Sequence, residues 1–239
     1  MQADGYVHQR LMPHRAANWI GLTVSYAYVL GFIGVATLLT VKKILAPPVT
    51  RKIIHIGVSH WWLIAMALFD DPWIVSIGPA SFILFNALAI RLRFVPAMDE
   101  SAHAKNLGTV YFPISLLVLA NLCWRGLVPA WVGGVGILTL GWGDGLAAVV
   151  GERFGKKGIR IWGNRKTAAG TATMFAASFI VTLAFTLLFS SRFGSLLPAF
   201  GVSAAVAAVA TFVEIFTPLW IDNITIPILT ALFYWGVFS

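Results

Sequence analysis

Long apolar runs separated by short charged segments constrain the fold of this chain more than any other feature of its sequence. The hydrocarbon core of a bilayer is about 30 Å thick, and about 20 helical residues cross it. Eight apolar runs approach or exceed that length and predict helices at 18–41, 53–69, 73–90, 108–124, 127–150, 168–190, 196–216 and 224–238. We therefore expect an all-α, polytopic transmembrane bundle of about eight helices. A polar N-terminal segment, 1–17, would precede one integral-membrane domain, 18–239.

The composition excludes most other classes of protein. Hydrophobic residues make up 59% of the chain and charged residues only 11%, whereas soluble domains carry about 25% charged residues. Lysine and arginine exceed aspartate and glutamate by 17 to 9. In a membrane protein this excess is explained by cytoplasmic loops and anionic lipid headgroups, so we expect no nucleic-acid partner. Cys123 is the only cysteine, which excludes an intrachain disulfide.

The distribution of basic residues predicts how the bundle is oriented. Thirteen of the lysines and arginines fall in one set of segments, 42–52, 91–107 and 151–167. The other four fall on the opposite side: Arg10, Arg15, Arg125 and Arg192. Because cytoplasmic loops carry the excess of lysine and arginine, we expect the first set to be cytoplasmic and both termini to be extracytoplasmic. The longest connections share the cytoplasmic face, so an active site is expected there.

One carboxylate, Asp144, lies inside the apolar run 127–150 and is followed by a helix face of very small residues. At 100° per residue, that face also contains Ala147, Ala148, Gly151 and Gly155. A carboxylate in a membrane costs about 2.5–3.5 kcal/mol on insertion scales. We therefore favour a metal ligand beside a surface that a nucleotide can approach closely. The alternative is close helix packing, because Gly151 and Gly155 form a G-x-x-x-G pair.

The segment 152–167 predicts a flexible, cationic loop that ends where a helix begins. It carries six basic residues and several glycines, and it ends in Asn164-Arg165-Lys166-Thr167. Thr167 is a plausible N-cap of the following helix, and the helix dipole, backbone N–H groups and Lys166 would together bind an anion such as phosphate. The alternative is a loop that only contacts anionic lipid.

Two further carboxylates, Glu214 and Asp222, are expected on the same face of the membrane. Asp222 and Asn223 can cap the last helix, with Pro227 in its first turn. Capping does not explain Glu214, at the end of the preceding apolar run. Together with Asp144, these carboxylates suit one or two hard divalent cations such as Mg²⁺.

Weaker signals come from two other segments near the same face. Lys52 and His55 lie where the second predicted helix begins, so they are candidate site residues. A histidine entering a membrane helix is also often only structural. Lys105, Asn106 and Tyr111 flank the start of helix 108–124 and are candidates for contact with phosphate or a headgroup. Interfacial tyrosine is common without such a role.

Taken together, these segments resemble the polyprenol kinase family, which comprises dolichol kinases, phytol kinases and CTP-dependent diacylglycerol kinases. The likeness lies in 51–55, in 108–113, in 144–170, at Glu214 and in 222–227, in matching order. The nucleotide motif of the family runs D-x-x-A-x-x-x-G-x-x-x-G, a spacer, then a basic pair, Thr, any residue, Glu and Gly. It is filled here by Asp144, Ala147, Gly151, Gly155, Arg165, Lys166, Thr167 and Gly170. Ala169 stands where the family has Glu.

The resemblance implies an enzyme that transfers the γ-phosphoryl group of CTP, or another nucleoside triphosphate, to the hydroxyl of a lipid alcohol. It implies that Asp144 holds Mg²⁺, that Arg165, Lys166 and Thr167 bind the phosphates, and that Asp222 or Glu214 holds a second metal or accepts the hydroxyl proton. It also implies that Lys52 and His55 bind the nucleotide or orient the alcohol. Phosphoryl transfer is catalysed mainly by positioning and by neutralising charge, which suits these residue types. The alcohol would enter sideways from the bilayer.

Two alternatives remain open from the sequence. A phosphatidate cytidylyltransferase also uses CTP, Mg²⁺ and a lipid, but the His-Gly-Gly and Asp-Arg ending typical of that family is missing here. An ion-coupled transporter would use Asp144 and Glu214 as intramembrane ion sites, but no internal repeat is evident. Phytol, polyprenols and diacylglycerol all combine a hydroxyl with an apolar tail, so the sequence does not choose among them. It does not define the oligomeric state either.

Overall fold

The fold was analysed in a computed structural model, which describes residues 14–92, 107–162, 164–189, 196–218 and 221–238. Ten α-helices occur in these ranges, joined in the middle of the chain by a π-helical segment and two short strands. In order they are α1 (His14–Val41), α2 (Pro47–Ser59), α3 (Trp61–Leu68), α4 (Pro72–Leu92), α5 (Gly108–Trp124), α6 (Ala130–Leu138), the π segment (Thr139–Asp144), α7 (Gly145–Phe154), β1 (Gly158–Ile161), β2 (Asn164–Thr167), α8 (Ala168–Phe189), α9 (Leu196–Phe216) and α10 (Asp222–Phe238).

The predicted transmembrane bundle is confirmed. Five helices are long and apolar enough to cross a membrane: 16–41, 72–92, 130–154, 168–189 and 196–216. Helix α5 is a shorter apolar helix, and its bounds match the predicted run 108–124. Which face of the bundle is cytoplasmic stays a prediction from the charge distribution.

The prediction of the second helix, 53–69, is wrong in two respects. It begins earlier, at Pro47, because two prolines occupy its first turn, where their missing N–H groups are tolerated. It is also broken after Ser59. The side chains of Ser59 and His60 both contact the Ile56 carbonyl oxygen, at 2.6 and 2.8 Å, and so compete with the backbone bonds of a continuous helix. The earlier start places Lys52 within a helix.

The central helix of the bundle consists of α6, the π segment and α7, continuous over 130–154. In its most apolar 18-residue stretch, 72% is buried inside the protein, whereas the corresponding share in the other four long helices is 17–33%. Its glycines allow this burial: a Cβ on Gly141 would overlap Ser59 of α2, and a Cβ on Gly143 would lie 2.6 Å from the Met174 sulfur of α8. Because α2 and α8 approach so closely, Asp144, the last residue of the π segment, is held among several helices.

The cationic segment 152–167 is not the flexible loop that its glycines predict. Helix α7 continues to Phe154, and β1 and β2 then pair antiparallel, with Gly158 opposite Thr167 and Ile161 opposite Asn164. The fold is therefore nearly, but not strictly, all-α. The hairpin leads directly into α8, where the Gly170 N–H donates to the Thr167 hydroxyl at 3.1 Å. The predicted N-cap is confirmed.

Helix α10 begins at Asp222, two residues before the predicted start. Pro227 therefore lies in the second turn and not in the first. Its carbonyl oxygen lies where a Cβ on Gly136 of α6 would be, so α6 and α10 cross in close contact. This crossing fixes the first turn of α10 beside the central helix.

Candidate functional site

A polar cavity of about 340 Å³ opens where seven elements of the bundle meet. It is lined by α2, α7, β2, α8, α9 and α10, together with the end of the π segment. Four residues that the sequence singled out for catalysis line it together: Asp144, Lys166, Glu214 and Asp222. Its other lining residues are Arg51, Lys52, Ala147, Ala148, Gly151, Glu152, Arg165, Thr167, Gly170 and Thr171.

Two buried ion pairs cross this cavity. The Lys52 ammonium lies 2.7 Å from a carboxylate oxygen of Asp144, and the Lys166 ammonium contacts Glu214. These four side chains are only 9–20% exposed. Burying a charge costs free energy unless the charge is paired. Each pairing therefore lowers the cost of burying its two side chains. The same lysines face the cavity and can bind an anionic ligand.

Asp222 is held by the residue that follows it. One of its carboxylate oxygens accepts hydrogen bonds of 2.9 Å from the backbone N–H and from the side-chain amide of Asn223. These bonds fix the carboxylate at the first turn of α10, where the helix dipole favours a negative charge. Asp222 thus presents an oriented carboxylate to the cavity.

The small residues after Asp144 serve packing as well as access. A Cβ on Gly170 would lie 2.9 Å from the Ala147 carbonyl oxygen and 3.4 Å from the Gly151 Cα, so α7 and α8 cross in close contact there. Gly151 and Gly170 also line the cavity, whereas Gly155 packs behind Thr167 and does not line it. Close packing is therefore observed at both Gly151 and Gly155, and of the two only Gly151 also lines the cavity.

A larger, mainly apolar cavity of about 560 Å³ adjoins the polar one. Its walls come mainly from α1, α2, α4 and α5, including residues between Gly108 and Pro113, with contributions from α3 and α10. Four charged residues line both cavities: Arg51, Lys52, Asp144 and Asp222. A molecule with an apolar tail and a polar head would therefore meet a ligand of the polar cavity at these four side chains, which we call the junction.

The apolar cavity opens sideways between α1 and α4. Leu30 of α1 and Phe85 of α4 both line it, yet they are 56% and 63% exposed on the outside of the bundle. Elsewhere the two helices are joined: the hydroxyls of Tyr26 and Ser81 lie 2.7 Å apart, and the Tyr26 ring stacks on Phe82. This opening faces the region that lipid would occupy around the bundle.

Several predicted residues lie away from the polar cavity. Asn223 and His55 line the apolar cavity instead. Asn164 lies at the tip of the hairpin, at the far end of β2 from Thr167. Tyr111 is half-buried in α5 and lines neither cavity. Lys105 and Asn106 lie outside the described residues.

Sequence reasoning missed three residues that line the polar cavity: Arg51, Glu152 and Thr171. Arg51 adjoins Lys52 in the same motif, and that adjacency was the available signal. Glu152 lies on α7 beside the small-residue face, two turns beyond Asp144. Thr171 follows the capping segment and carries no distinctive pattern.

The carboxylates of the polar cavity are of the type that could hold a magnesium ion together with the oxygens of a phosphate ligand. Among the residues that the structure describes, no three metal-ligating side chains converge into a preformed cage. Mg²⁺ is usually held by only one or two carboxylates, and substrate phosphates and water supply its other ligands. Asp144, with Asp222 at the junction, provides such a carboxylate set beside cationic groups that suit phosphate.

The fold and the site together define a polytopic membrane protein with a charged cavity and a lipid-facing apolar cavity that share one junction. A phytol kinase from Synechocystis is 34% identical over 218 residues, which are 91% of this chain and 91% of that protein. Phytol kinase 1 of the Arabidopsis thaliana chloroplast is 27% identical over 235 residues, 89% of this chain and 74% of that protein. A probable chloroplastic phytol kinase from Triticum aestivum is 26% identical over 210 residues, 81% and 69%. The chain belongs to the phytol kinase family.

Other comparisons add nothing to this assignment. No protein-family model matches the chain. No solved structure matches it.

Proposed function

We propose that the protein transfers the γ-phosphoryl group of a nucleoside triphosphate, with CTP as the expected donor, to the hydroxyl of a prenol such as phytol. The observation that carries the proposal is the junction: Arg51, Lys52, Asp144 and Asp222 line both a charged cavity and an apolar one. A kinase for lipid alcohols needs this arrangement, because the triphosphate requires cationic partners and the acceptor arrives on an apolar tail. The similarity to phytol kinases supports the choice of acceptor.

The triphosphate would lie in the polar cavity. Lys52, Arg165 and Lys166 supply positive charge there, and the N-terminus of α8, capped by Thr167, supplies backbone N–H groups. Lys166 is paired with Glu214 and Lys52 with Asp144. Because the lysines are already oriented by these pairs, little reorganisation is needed when the phosphates bind, which is the condition for electrostatic catalysis.

The acceptor would lie in the apolar cavity with its hydroxyl at the junction. The hydroxyl oxygen attacks the γ-phosphorus, a new P–O bond forms, and the bond to the bridging β–γ oxygen breaks. The hydroxyl proton passes to a carboxylate. We assign that role to Asp222 in preference to Glu214, because Asp222 lines both cavities and Glu214 lines only the polar one. The products are the lipid monophosphate and the nucleoside diphosphate.

Asp144 is the residue that would hold Mg²⁺, together with oxygens of the triphosphate. The ion, when bound, neutralises charge on the β- and γ-phosphates. The Lys52 ammonium, 2.7 Å from Asp144, fixes the orientation of this carboxylate. A neutral side chain at position 144 would remove the metal ligand, and it would also leave Lys52 without its partner. Both losses would weaken binding of the nucleotide.

The lipid would enter through the opening between Leu30 and Phe85. Such a route keeps the apolar tail in contact with apolar surfaces throughout, so no hydrophobic surface has to pass through water. The Tyr26–Ser81 contact joins α1 and α4 beside the opening and keeps the two helices together there.

Purified protein in detergent tests the proposal directly. It would be incubated with Mg²⁺, with CTP, ATP, UTP or GTP, and with phytol, farnesol or diacylglycerol, and the products identified by mass spectrometry. Phytyl monophosphate together with a nucleoside diphosphate is the expected result. A CDP-lipid with pyrophosphate would instead indicate a cytidylyltransferase, and no phosphorylated lipid with any donor would overturn the proposal.

A further inference from the structure

His55 has a buried ring nitrogen that the ion pairs of the site leave unused. Its Nε2 is shielded from solvent and has no hydrogen-bond partner in the part of the chain that the structure describes. The nearest carboxylate oxygen, on Asp144, is 4.0 Å away, which is too far for a hydrogen bond. Buried polar groups normally have a partner, so this nitrogen points to a ligand.

The ring is held in place by its neighbours. It packs against Phe112 of α5, with 4.6 Å between the ring centroids, and its side chain is only 14% exposed. His55 lines the apolar cavity and not the polar one. It lies one helical turn after Lys52, so it borders the junction from the lipid side.

We propose that His55 binds the hydroxyl oxygen of the lipid alcohol and positions it for attack. This inference rests on the proposed function. The Nε2–H donates a hydrogen bond to the hydroxyl oxygen, which keeps a second lone pair for the γ-phosphorus. The hydroxyl hydrogen is then directed to Asp222. The sequence left His55 open as a nucleotide or substrate contact, and the structure favours the alcohol because the ring faces the cavity for the tail.

Kinetics of His55→Phe and His55→Gln with phytol test the assignment. Phenylalanine keeps the ring packing on Phe112 and removes the donor, so the KM for phytol should rise about tenfold, as expected for one lost hydrogen bond. The KM for the nucleoside triphosphate should change less than twofold. Glutamine carries an N–H donor and should recover part of the loss.

His60→Gln is the matched control. His60 lies five residues further on, contacts the Ile56 carbonyl oxygen and accepts a hydrogen bond from Trp142, and lines neither cavity. Its kinetic constants should stay at the wild-type values. A rise in KM for the nucleotide with an unchanged KM for phytol in His55→Phe would overturn the assignment, and so would unchanged kinetics.

Direct binding separates this inference from the proposed function. Tritiated phytol would be titrated onto wild-type, His55→Phe and His55→Gln proteins without nucleotide, after size-exclusion chromatography has shown that each is folded. Weaker binding to His55→Phe supports the inference even if no phosphoryl transfer is found. Equal binding to all three proteins contradicts it even if the wild type is an active kinase. Should His55→Phe fail to fold, His55→Leu, which also lacks the donor, replaces it in the comparison with His55→Gln.

Discussion

Carboxylates occur at both ends of the bundle, but their partners differ. At one end, Asp71 accepts hydrogen bonds from the backbone N–H groups of Trp73 and Ile74, and Asp70 is bonded to the Asn18 amide. At the other end, Asp144 and Glu214 are paired with Lys52 and Lys166 and line a cavity. The first group completes helix ends and connections, whereas the second has partners that a ligand can share.

The partners of an acidic residue separate a structural role from a functional one in this bundle. Asp71 satisfies the orphan N–H groups of the first turn of α4, as an N-cap does. Asp144 lies in the middle of a continuous helix, where capping is not needed. Burying an acidic residue inside a membrane bundle costs free energy even when a lysine from another helix pairs with it. A functional role therefore explains such a residue better than a structural one.

The largest effect is expected at Asp144. Asp144→Asn removes the negative charge and keeps the size, so kcat/KM should fall by about 10²–10³, the usual loss when one electrostatic group of a site is removed. Asp71→Asn is the control, because asparagine caps a helix as well as aspartate does. Steady-state kinetics of both variants check this, and equal activities would show that the two ends do not differ in function.

The next effect is expected at Lys166. Lys166→Met removes the cation that contacts Glu214 in the polar cavity. We expect kcat/KM for the nucleoside triphosphate to fall by about 10²-fold, since a buried charge-assisted contact is lost. Lys157→Met, at an exposed position outside the cavity, should keep wild-type kinetics. A loss of similar size at Lys157 would mean that overall positive charge matters and the cavity does not.

A smaller effect is expected at the lateral opening. Leu30→Trp places a bulkier side chain where the apolar cavity opens. The KM for phytol should rise by about tenfold, the scale on which apolar pockets discriminate, while the KM for the nucleotide stays unchanged. Leu38→Trp, on an exposed part of α1 outside the cavity, is the control. Equal KM values for phytol in both variants would exclude entry between α1 and α4.

The smallest effect on activity is expected at the opposite end. Asp71→Ala removes the bonds to Trp73 and Ile74 and should lower the free energy of unfolding by about 0.5–2 kcal/mol, as loss of an N-cap does. Thermal unfolding in detergent would show a lower Tm, while kcat and KM at a temperature well below Tm stay at the wild-type values. A kinetic defect in a folded Asp71→Ala protein would contradict a purely structural role.

The sequence predicted the long helices well because each is a single apolar run between charges. Helices α5 and α9 begin and end at the predicted residues, and α8 begins at its predicted residue. The break after Ser59 was not predicted, because it depends on the side chains of Ser59 and His60 finding the Ile56 carbonyl. The hairpin was missed because a glycine-rich, charged segment carries no strand periodicity.

At the site, the sequence identified residue types better than their partners. Helix periodicity placed Ala147, Ala148 and Gly151 on the face of Asp144, and all three line the polar cavity with it. The pair between Lys52 and Asp144 joins residues 92 positions apart, and no local pattern encodes such a contact. The apolar cavity could not be predicted for the same reason. The helices that line it are separate in sequence, and only their packing creates the junction.

Transfer of a labelled γ-phosphoryl group to phytol would show whether the junction is a phosphoryl-transfer site that depends on Asp144. Wild-type, Asp144→Asn and Asp71→Asn proteins, purified in parallel, would be given phytol, Mg²⁺ and γ-labelled CTP or ATP, and the label in the lipid fraction would be counted. Label in the lipid with the wild type and Asp71→Asn, and about 10²–10³ times less with Asp144→Asn, is the predicted result. Equal labelling by Asp144→Asn would contradict a phosphoryl-transfer site built around the junction.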